Sequence, residues 1–205
     1  MKIRSVEFAG AIARPGGDPP GTLPQIAFSG RSNVGKSSLI NTLLRRTRTK
    51  IARVSTTPGK TREINFFRVE ATTTSRPVEF FVVDLPGYGY ARVPAAMQDA
   101  WRPLVEGYLR SNPALLGLVQ LIDARHGPTR DDLQMVEFLA GLGTPTLFVL
   151  TKVDKLKRSQ RAKELPKIAS RLGQDPDQVL AFSAKTGEGR DELLAALASL
   201  LEPTA

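Results

Sequence analysis

The residues best suited to chemistry form one run, Gly30-Arg31-Ser32-Asn33-Val34-Gly35-Lys36-Ser37, with Ser38 directly after it. The run fits the spacing G-x-x-x-x-G-K-S/T, a loop whose backbone cradles phosphate oxygens. Glycine lets the chain approach an anion closely. The first turn of a following helix adds unpaired N–H groups and the positive end of a dipole. In that geometry Lys36 reaches the β- and γ-phosphates of a nucleotide, and Ser37 supplies an oxygen to Mg²⁺. The local setting agrees. The apolar run 25–29 reads as a strand, and Leu39, Ile40, Leu43 and Leu44 recur at helical spacing beyond the loop. A chance match in a loop rich in Gly and Ser is the competing reading.

Three further motifs follow in order along the chain. Asp84-Leu85-Pro86-Gly87 ends the apolar run 78–83. An Asp at the end of a strand can hold Mg²⁺, usually through water, and the N–H of such a Gly can sense a γ-phosphate. Alone, D-x-x-G is an ordinary turn. Thr151-Lys152-Val153-Asp154 follows the run 146–150, and Ser183-Ala184-Lys185 follows 179–182. Each motif closes a predicted strand, where open α/β sheets place their ligand sites.

Asp154 decides the base. A carboxylate has only acceptors. Guanine offers two adjacent donors, N1–H and its exocyclic amine, whereas adenine offers an acceptor at N1 and nothing at C2. ATP in this place would leave a buried carboxylate unpaired, a cost of several kcal/mol at the order-of-magnitude level. Lys152 can lay its aliphatic stem along the base, and the backbone N–H of Ala184 can donate to guanine O6. Taken alone, Asp154 reads more readily as the cap of a helix beginning near Lys155.

Together, GRSNVGKSSLIN from Gly30, TPGKTREINFF from Thr57, DLPGYGYARV from Asp84, TKVDK from Thr151 and SAKTGEG from Ser183 resemble the EngB family (also called YsxC or YihA). This is a family of bacterial ribosome-assembly GTPases among the TrmE-Era-EngA-EngB-Septin-like P-loop proteins. The matched segments extend from about residue 25 to the final helix. Arg62 departs from the family, which often has Gln after the PGKT threonine. The resemblance implies hydrolysis of the GTP β–γ phosphoanhydride, Mg²⁺ as cofactor, and a ribosomal subunit with its rRNA, the large one, as partner. It implies that Gly59 and Thr61 belong to a first switch loop, with Thr61 a third Mg²⁺ ligand beside Ser37 and Asp84; without it, Thr61 is a polar turn residue. Tyr88 stands after Gly87, where Ras-like GTPases carry a water-orienting Gln, and a single phenol oxygen cannot replace the separate donor and acceptor atoms of an amide. A slow intrinsic GTPase is the expectation. Asn33 stands where GTPases that use a monovalent cation carry Asn. A potassium ion held there could replace an arginine finger, and a local Asx turn explains the same residue.

The elements that must position these groups form one alternating β/α series. A short leading strand within 1–11 and a Pro/Gly-rich loop, 14–24, precede the nucleotide-binding core, 25–205, and the whole reads as one domain. Residues 48–61 read as a loop over the nucleotide, and 62–70 with 77–84 as an antiparallel hairpin. Helices near 94–109, 130–140, 159–172 and 189–201 alternate with strands at 116–123, 146–151 and 178–183. In the last helix Leu193, Leu194, Leu197, Leu200 and Leu201 make one apolar stripe. The predicted fold is α/β: a P-loop GTPase of three α/β/α layers, with a mostly parallel six-stranded sheet and one antiparallel edge strand.

Composition narrows the partners. The 205 residues contain no Cys, which excludes disulfides and thiolate metal sites. No apolar run approaches a bilayer's thickness, residues 1–10 lack a secretory core, and no lipidation motif or basic amphipathic helix suggests a membrane surface. The expectation is a cytoplasmic monomer. A formal charge of +9 calls for a polyanion larger than one nucleotide. Two basic clusters could meet it: Arg45, Arg46, Arg48, Lys50 and Arg53, and Lys155, Lys157, Arg158, Arg161, Lys163 and Lys167. Solvated helix faces are the plainer reading, and no DNA- or RNA-reading signature is present. Competing classes are a switch that recruits a protein, in cell division or another process without rRNA contact, and a metabolic kinase, for which the chain has no lid segment. His126 reads as a surface loop residue, Trp101 as core or half-exposed packing, and Tyr88 with Tyr90 as switch aromatics that could touch a partner.

Overall fold

Residues 25–30, 118–123 and 148–151 bury every side chain, the pattern of parallel strands covered on both faces. The protein was analysed as a computed structural model that describes residues 1–45, 63–74, 76–89 and 95–202, excepting the side chains of 95–101. Its elements in chain order are β1 (Lys2–Ile12), β2 (Gln25–Gly30), α1 (Lys36–Leu43), β3 (Ile64–Thr72), β4 (Pro77–Asp84), α2 (Ala95–Arg110), β5 (Leu115–Asp123), α3 (Arg130–Leu142), β6 (Thr146–Thr151), α4 (Arg158–Arg171), β7 (Val179–Ala181) and α5 (Arg190–Leu201).

Among the described residues these strands form one seven-stranded sheet in the order β1-β3-β4-β2-β5-β6-β7. β4, β2, β5, β6 and β7 pair in parallel, while β3 runs against both β1 and β4. Alternation along each strand sends side chains to opposite faces. On one face Ile26, Phe28, Val119, Leu121 and Val149 pack with Leu39 and Leu43 of α1 and Leu193, Leu194 and Leu197 of α5. On the other, Ala27, Phe66, Val83 and Leu118 meet Leu104 and Val105 of α2 and Met135 and Leu139 of α3. Ile122, Phe148 and Leu150 continue that face onto Ile168 of α4 and Leu172, the residue that follows it. The result is the three-layer α/β/α arrangement.

The expected six strands with an antiparallel edge require one correction. β1 is eleven residues long and pairs with β3 from Lys2↔Thr72 to Ile12↔Ile64, with register shifts at Ile3/Ser5 and Phe8/Gly10. β3 is therefore interior, and β1 is the edge. The sequence hides this because β1 buries little: only Val6 and Ile12 are core, while Phe8 is exposed and meets Phe67 edge-on. Its pairing is dictated by the otherwise open backbone of β3.

Candidate functional site

The phosphate-type loop joins β2 to α1, and its backbone is set for an anion. Asn33 lies at φ 64, and Gly35, the residue capping α1, at φ 107. The second value suits glycine and strains most other residues. Among the described residues no side chain caps α1, no acidic residue lies in its first turn, and the N–H groups of Lys36, Ser37 and Ser38 meet no built-in acceptor. Thr151 Oγ1, buried, donates to Val34 O at 2.7 Å, with Ile122 O a second acceptor within reach at 3.2 Å. It pins the loop from the end of β6.

Lys36 and Asp84 meet directly, Nζ to Oδ1, both almost fully buried. A buried ammonium and carboxylate are tolerated together because each neutralises the other, and loss of either leaves a costly orphan. Ser37 and Asp84 offer the hydroxyl and carboxylate oxygens that Mg²⁺ prefers. Among the described residues no group of three or more acidic, His or Cys side chains could cage a metal. Such a sparse donor set fits a cation that takes its remaining ligands from phosphates and water. Gly59, Thr61, Arg62 and Tyr90 lie outside the described residues.

The base-side motifs line a cleft of about 430 Å³ bounded by Gly35, Lys152, Asp154, Phe182, Ala184 and Lys185. Its volume is in the range of small-molecule sites. Asp154 sits in the short 3-10 turn Val153–Lys155, and the residue capping α4 is Lys157. The helix-cap reading of Asp154 is thereby overturned. Ser183 Oγ donates to Asp154 Oδ1 at 2.8 Å and itself accepts from the N–H groups of Lys185 and Thr186 at 3.2 Å. Among the described residues Oδ2 has no protein donor, which leaves an oriented acceptor. Ala184 is tied by its carbonyl, which accepts from Thr42 Oγ1 at 3.3 Å. A second cleft of about 420 Å³, between Arg102 and Arg110 of α2 and Glu137 and Phe138 of α3, holds none of the motif residues.

Sequence reasoning missed Asp123 at the end of β5. Lys152, in a left-handed conformation at φ 61, donates from Nζ to the Asn33 carbonyl and to Asp123 Oδ2 at 2.9 Å. Its stem passes close to Gly35. Arg125 grips the same carboxylate through Nε at 2.9 Å and Nη2 at 2.7 Å. Burial opposes ionisation of Asp123, yet the hydrogen bonds from Arg125 and Lys152 prevail and hold its carboxyl down to about 2. Only its place at a strand's C-terminal end could have signalled this role. A carboxyl depressed in the fold stabilises above its ordinary titration range and loses that effect as pH falls toward 2. We expect a stability loss of roughly 1–2 kcal/mol between about pH 4 and 2, after screening through the half-exposed Arg125. Denaturant midpoints measured across that range should fall less steeply in Asp123→Asn. Identical slopes would contradict the assignment.

Tyr88 departs from the expectation of a partner-facing aromatic, because it is buried. Its hydroxyl donates to Asp132 Oδ1 at 2.7 Å and accepts from Gln120 Nε2 at 2.6 Å. Asp132 Oδ2 accepts from the N–H and Oγ1 of Thr129, the cap of α3. Burial, and then the Asp132 carboxylate, push the phenol well above its usual range. A phenol needs a partner when buried, and this network supplies one that no sequence spacing reveals. Tyr88 therefore anchors the D-x-x-G segment to α3, and its carbonyl accepts from Ser32 N–H at 2.8 Å.

These are the marks of a nucleotide site, and comparison with known proteins agrees. A family model described as 50S ribosome-binding GTPase matches residues 25–152, from the start of β2 to Lys152. The probable GTP-binding protein EngB of Gemmatimonas aurantiaca is 54% identical over 202 residues, covering 98% of this chain and 95% of that protein. This chain belongs to the EngB family. The probable GTP-binding protein EngB of Desulforamulus reducens is 48% identical over 198 residues, 96% of this chain and 93% of the relative. A crystal structure of a probable GTP-binding protein engB superposes with TM-score 0.65 at 26% identity, over 86% of this chain and 98% of the other. Era, crystallised with MgGDPNP and nucleotides 1506–1542 of 16S ribosomal RNA, gives TM-score 0.70 at 22% identity, over 89% and 58%; that likeness concerns the fold. As an EngB protein the chain is a P-loop GTPase, a GTP-binding enzyme that hydrolyses GTP.

Of the basic clusters, Arg45 is exposed, whereas Arg46, Arg48, Lys50 and Arg53 lie outside the described residues, as does the side chain of Trp101. On and before α4, Lys155, Lys157, Arg158, Lys163 and Lys167 are exposed. Arg161 is engaged by Glu188 at 2.7 and 3.0 Å and contributes less positive field than its type suggests. His126 is exposed in the turn after β5, as expected of a surface loop residue. Among the described residues no helix is long and apolar enough to cross a membrane.

Proposed function

We propose that this EngB-family GTPase, one nucleotide-binding domain throughout, is a GTP-dependent switch in assembly of the large ribosomal subunit. The observation that carries the reading is the row of exposed cations Lys155, Lys157, Arg158, Lys163 and Lys167. Lys155 itself lines the base cleft. A chain of net charge +9 thus concentrates positive charge where nucleotide occupancy can be felt.

In this reading Asp154 selects guanine, Lys152 packs along the base, and Ala184 N–H donates to O6. Gly30 to Ser38 wrap the phosphates. Lys36 leaves Asp84 to meet the β- and γ-phosphates, while Asp84, Ser37 and Thr61 hold Mg²⁺. That ion, when bound, offsets charge on the phosphates being separated. Gly87 N–H faces the γ-phosphate, and with Gly59 and Thr61 it reports whether that group is present. Water attacks the γ-phosphorus, the bond to the β–γ bridging oxygen breaks, and GDP and phosphate result. With Tyr88 committed to Asp132, this chain offers no switch amide at that position to orient the water.

Sedimentation with purified ribosomal subunits tests the switch. With a non-hydrolysable GTP analogue the protein should travel with the large subunit, and with GDP it should stay at the top of the gradient. Equal behaviour in both states would favour the reading in which the switch recruits a protein partner instead.

Asn33 supports the potassium reading. It is exposed, and among the described residues its side chain makes no hydrogen bond, so the Asx turn is not formed. GTP turnover should be faster in potassium than in sodium at equal ionic strength, and Asn33→Ala should abolish the difference. Equal rates at saturating Mg²⁺ would remove potassium from the mechanism.

A further inference from the structure

Ser32 carries a hydroxyl that the loop leaves unused. Ser32 Oγ is buried and has no hydrogen-bond partner among the described residues. A hydroxyl can donate once and accept twice, and one shut away from water with no partner demands an explanation. Its surroundings supply one. Ser32 N–H donates to Tyr88 O at 2.8 Å, and Arg31 bridges to Tyr88 in parallel, so the loop is clamped against the D-x-x-G segment. Gly87 presses on Ser32: a β-carbon placed on Gly87 would lie 2.9 Å from Ser32 Oγ and 3.2 Å from its backbone N and Cα. The hydroxyl and Gly87 are therefore in direct contact where the phosphate loop meets the second switch.

We propose that the Ser32 hydroxyl is a γ-phosphate ligand, donating to a γ-phosphate oxygen in the GTP state and losing that acceptor when GDP remains. The inference rests on the nucleotide-site reading above and assigns to one side chain part of the discrimination between the two states. The chemistry fits. A phosphate oxygen is a strong, charged acceptor, and the donor is already desolvated, so no water is stripped from it on binding. Tyr88, held by Asp132 and Gln120, keeps the D-x-x-G backbone against Ser32.

The test is Ser32→Ala, read by calorimetry with GDP and with a non-hydrolysable GTP analogue at saturating Mg²⁺, together with the melting temperature of the nucleotide-free protein. Affinity for the analogue should fall about tenfold, the size of one charge-assisted hydrogen bond, while affinity for GDP changes by less than about twofold on the same scale. The nucleotide-free variant should melt no lower than the parent, because an orphaned hydroxyl contributes nothing there. Equal losses for both nucleotides, or no loss for either, would overturn the proposal, as would a marked drop in melting temperature. If the unmodified protein binds neither nucleotide, the site reading itself fails and takes Ser32 with it; a change confined to Ser32→Ala speaks to Ser32 alone.

Discussion

An Asp154→Asn variant should lose affinity for GTP and GDP by on the order of a hundredfold or more and gain affinity for xanthosine nucleotides. The local geometry makes this a clean exchange. Ser183 Oγ donates to Asp154 Oδ1 at 2.8 Å, and an asparagine carbonyl can accept that same bond. The new amide nitrogen then takes the place of Oδ2 and points its hydrogens at the donors of guanine. Donor meets donor, and a polar pair in a confined cleft goes unmade. Xanthine has a carbonyl at C2 that accepts from the amide, so the mismatch is relieved. Fold and phosphate loop should be untouched, since Thr151 Oγ1 still holds Val34 O and Lys152 still holds the Asn33 carbonyl. Calorimetry with GDP and xanthosine diphosphate checks the exchange. Undiminished GDP affinity would show that Asp154 does not read the base.

Binding of the GTP-analogue state to the large subunit should fall steeply with salt. If about six backbone phosphates are neutralised, affinity drops on the order of a thousandfold between about 50 and 200 mM salt, because each contact releases condensed counterions. Replacing Lys157, Arg158, Lys163 and Lys167 by Gln should weaken binding and flatten that slope. GDP affinity should stay within about twofold, since none of the four lies in a phosphate or base motif. Arg161 is a poorer choice for such a series because Glu188 engages it through both carboxylate oxygens, at 2.7 and 3.0 Å, more closely than Glu164 meets Lys167 at 3.3 Å. Salt-insensitive association would mean that rRNA phosphates are not what α4 meets.

Much of this protein could be read from the chain alone, for a definite reason. A backbone that wraps a phosphate needs Gly35 at a left-handed φ, a lysine at the helix start and a hydroxyl after it, and those demands leave a spacing that side-chain packing cannot erase. The buried parallel strands read correctly because burial on both faces leaves short continuous apolar runs, as in residues 26–28 and 147–150. The expectation of guanine selectivity rests on one carboxylate, Asp154, which has only acceptors.

Contacts between residues far apart in sequence belong to the tertiary structure. The edge strand β1 has a weak pattern of its own and takes its place from β3. Tyr88 looks like an exposed switch aromatic until Gln120 and Asp132, 32 and 44 residues away, enclose its hydroxyl. Asp123 is an unremarked strand-end residue until Lys152 spans from it to the phosphate loop. Ser32 is one polar letter at a position the loop's spacing leaves open, and packing against Gly87 and Tyr88 leaves its hydroxyl buried with no partner among the described residues. Local spacing thus determined which ligand the chain is built to hold. The partners of buried polar groups were decided by the fold, because a desolvated hydroxyl or carboxylate is constrained by whatever surrounds it in space and not by its neighbours along the chain.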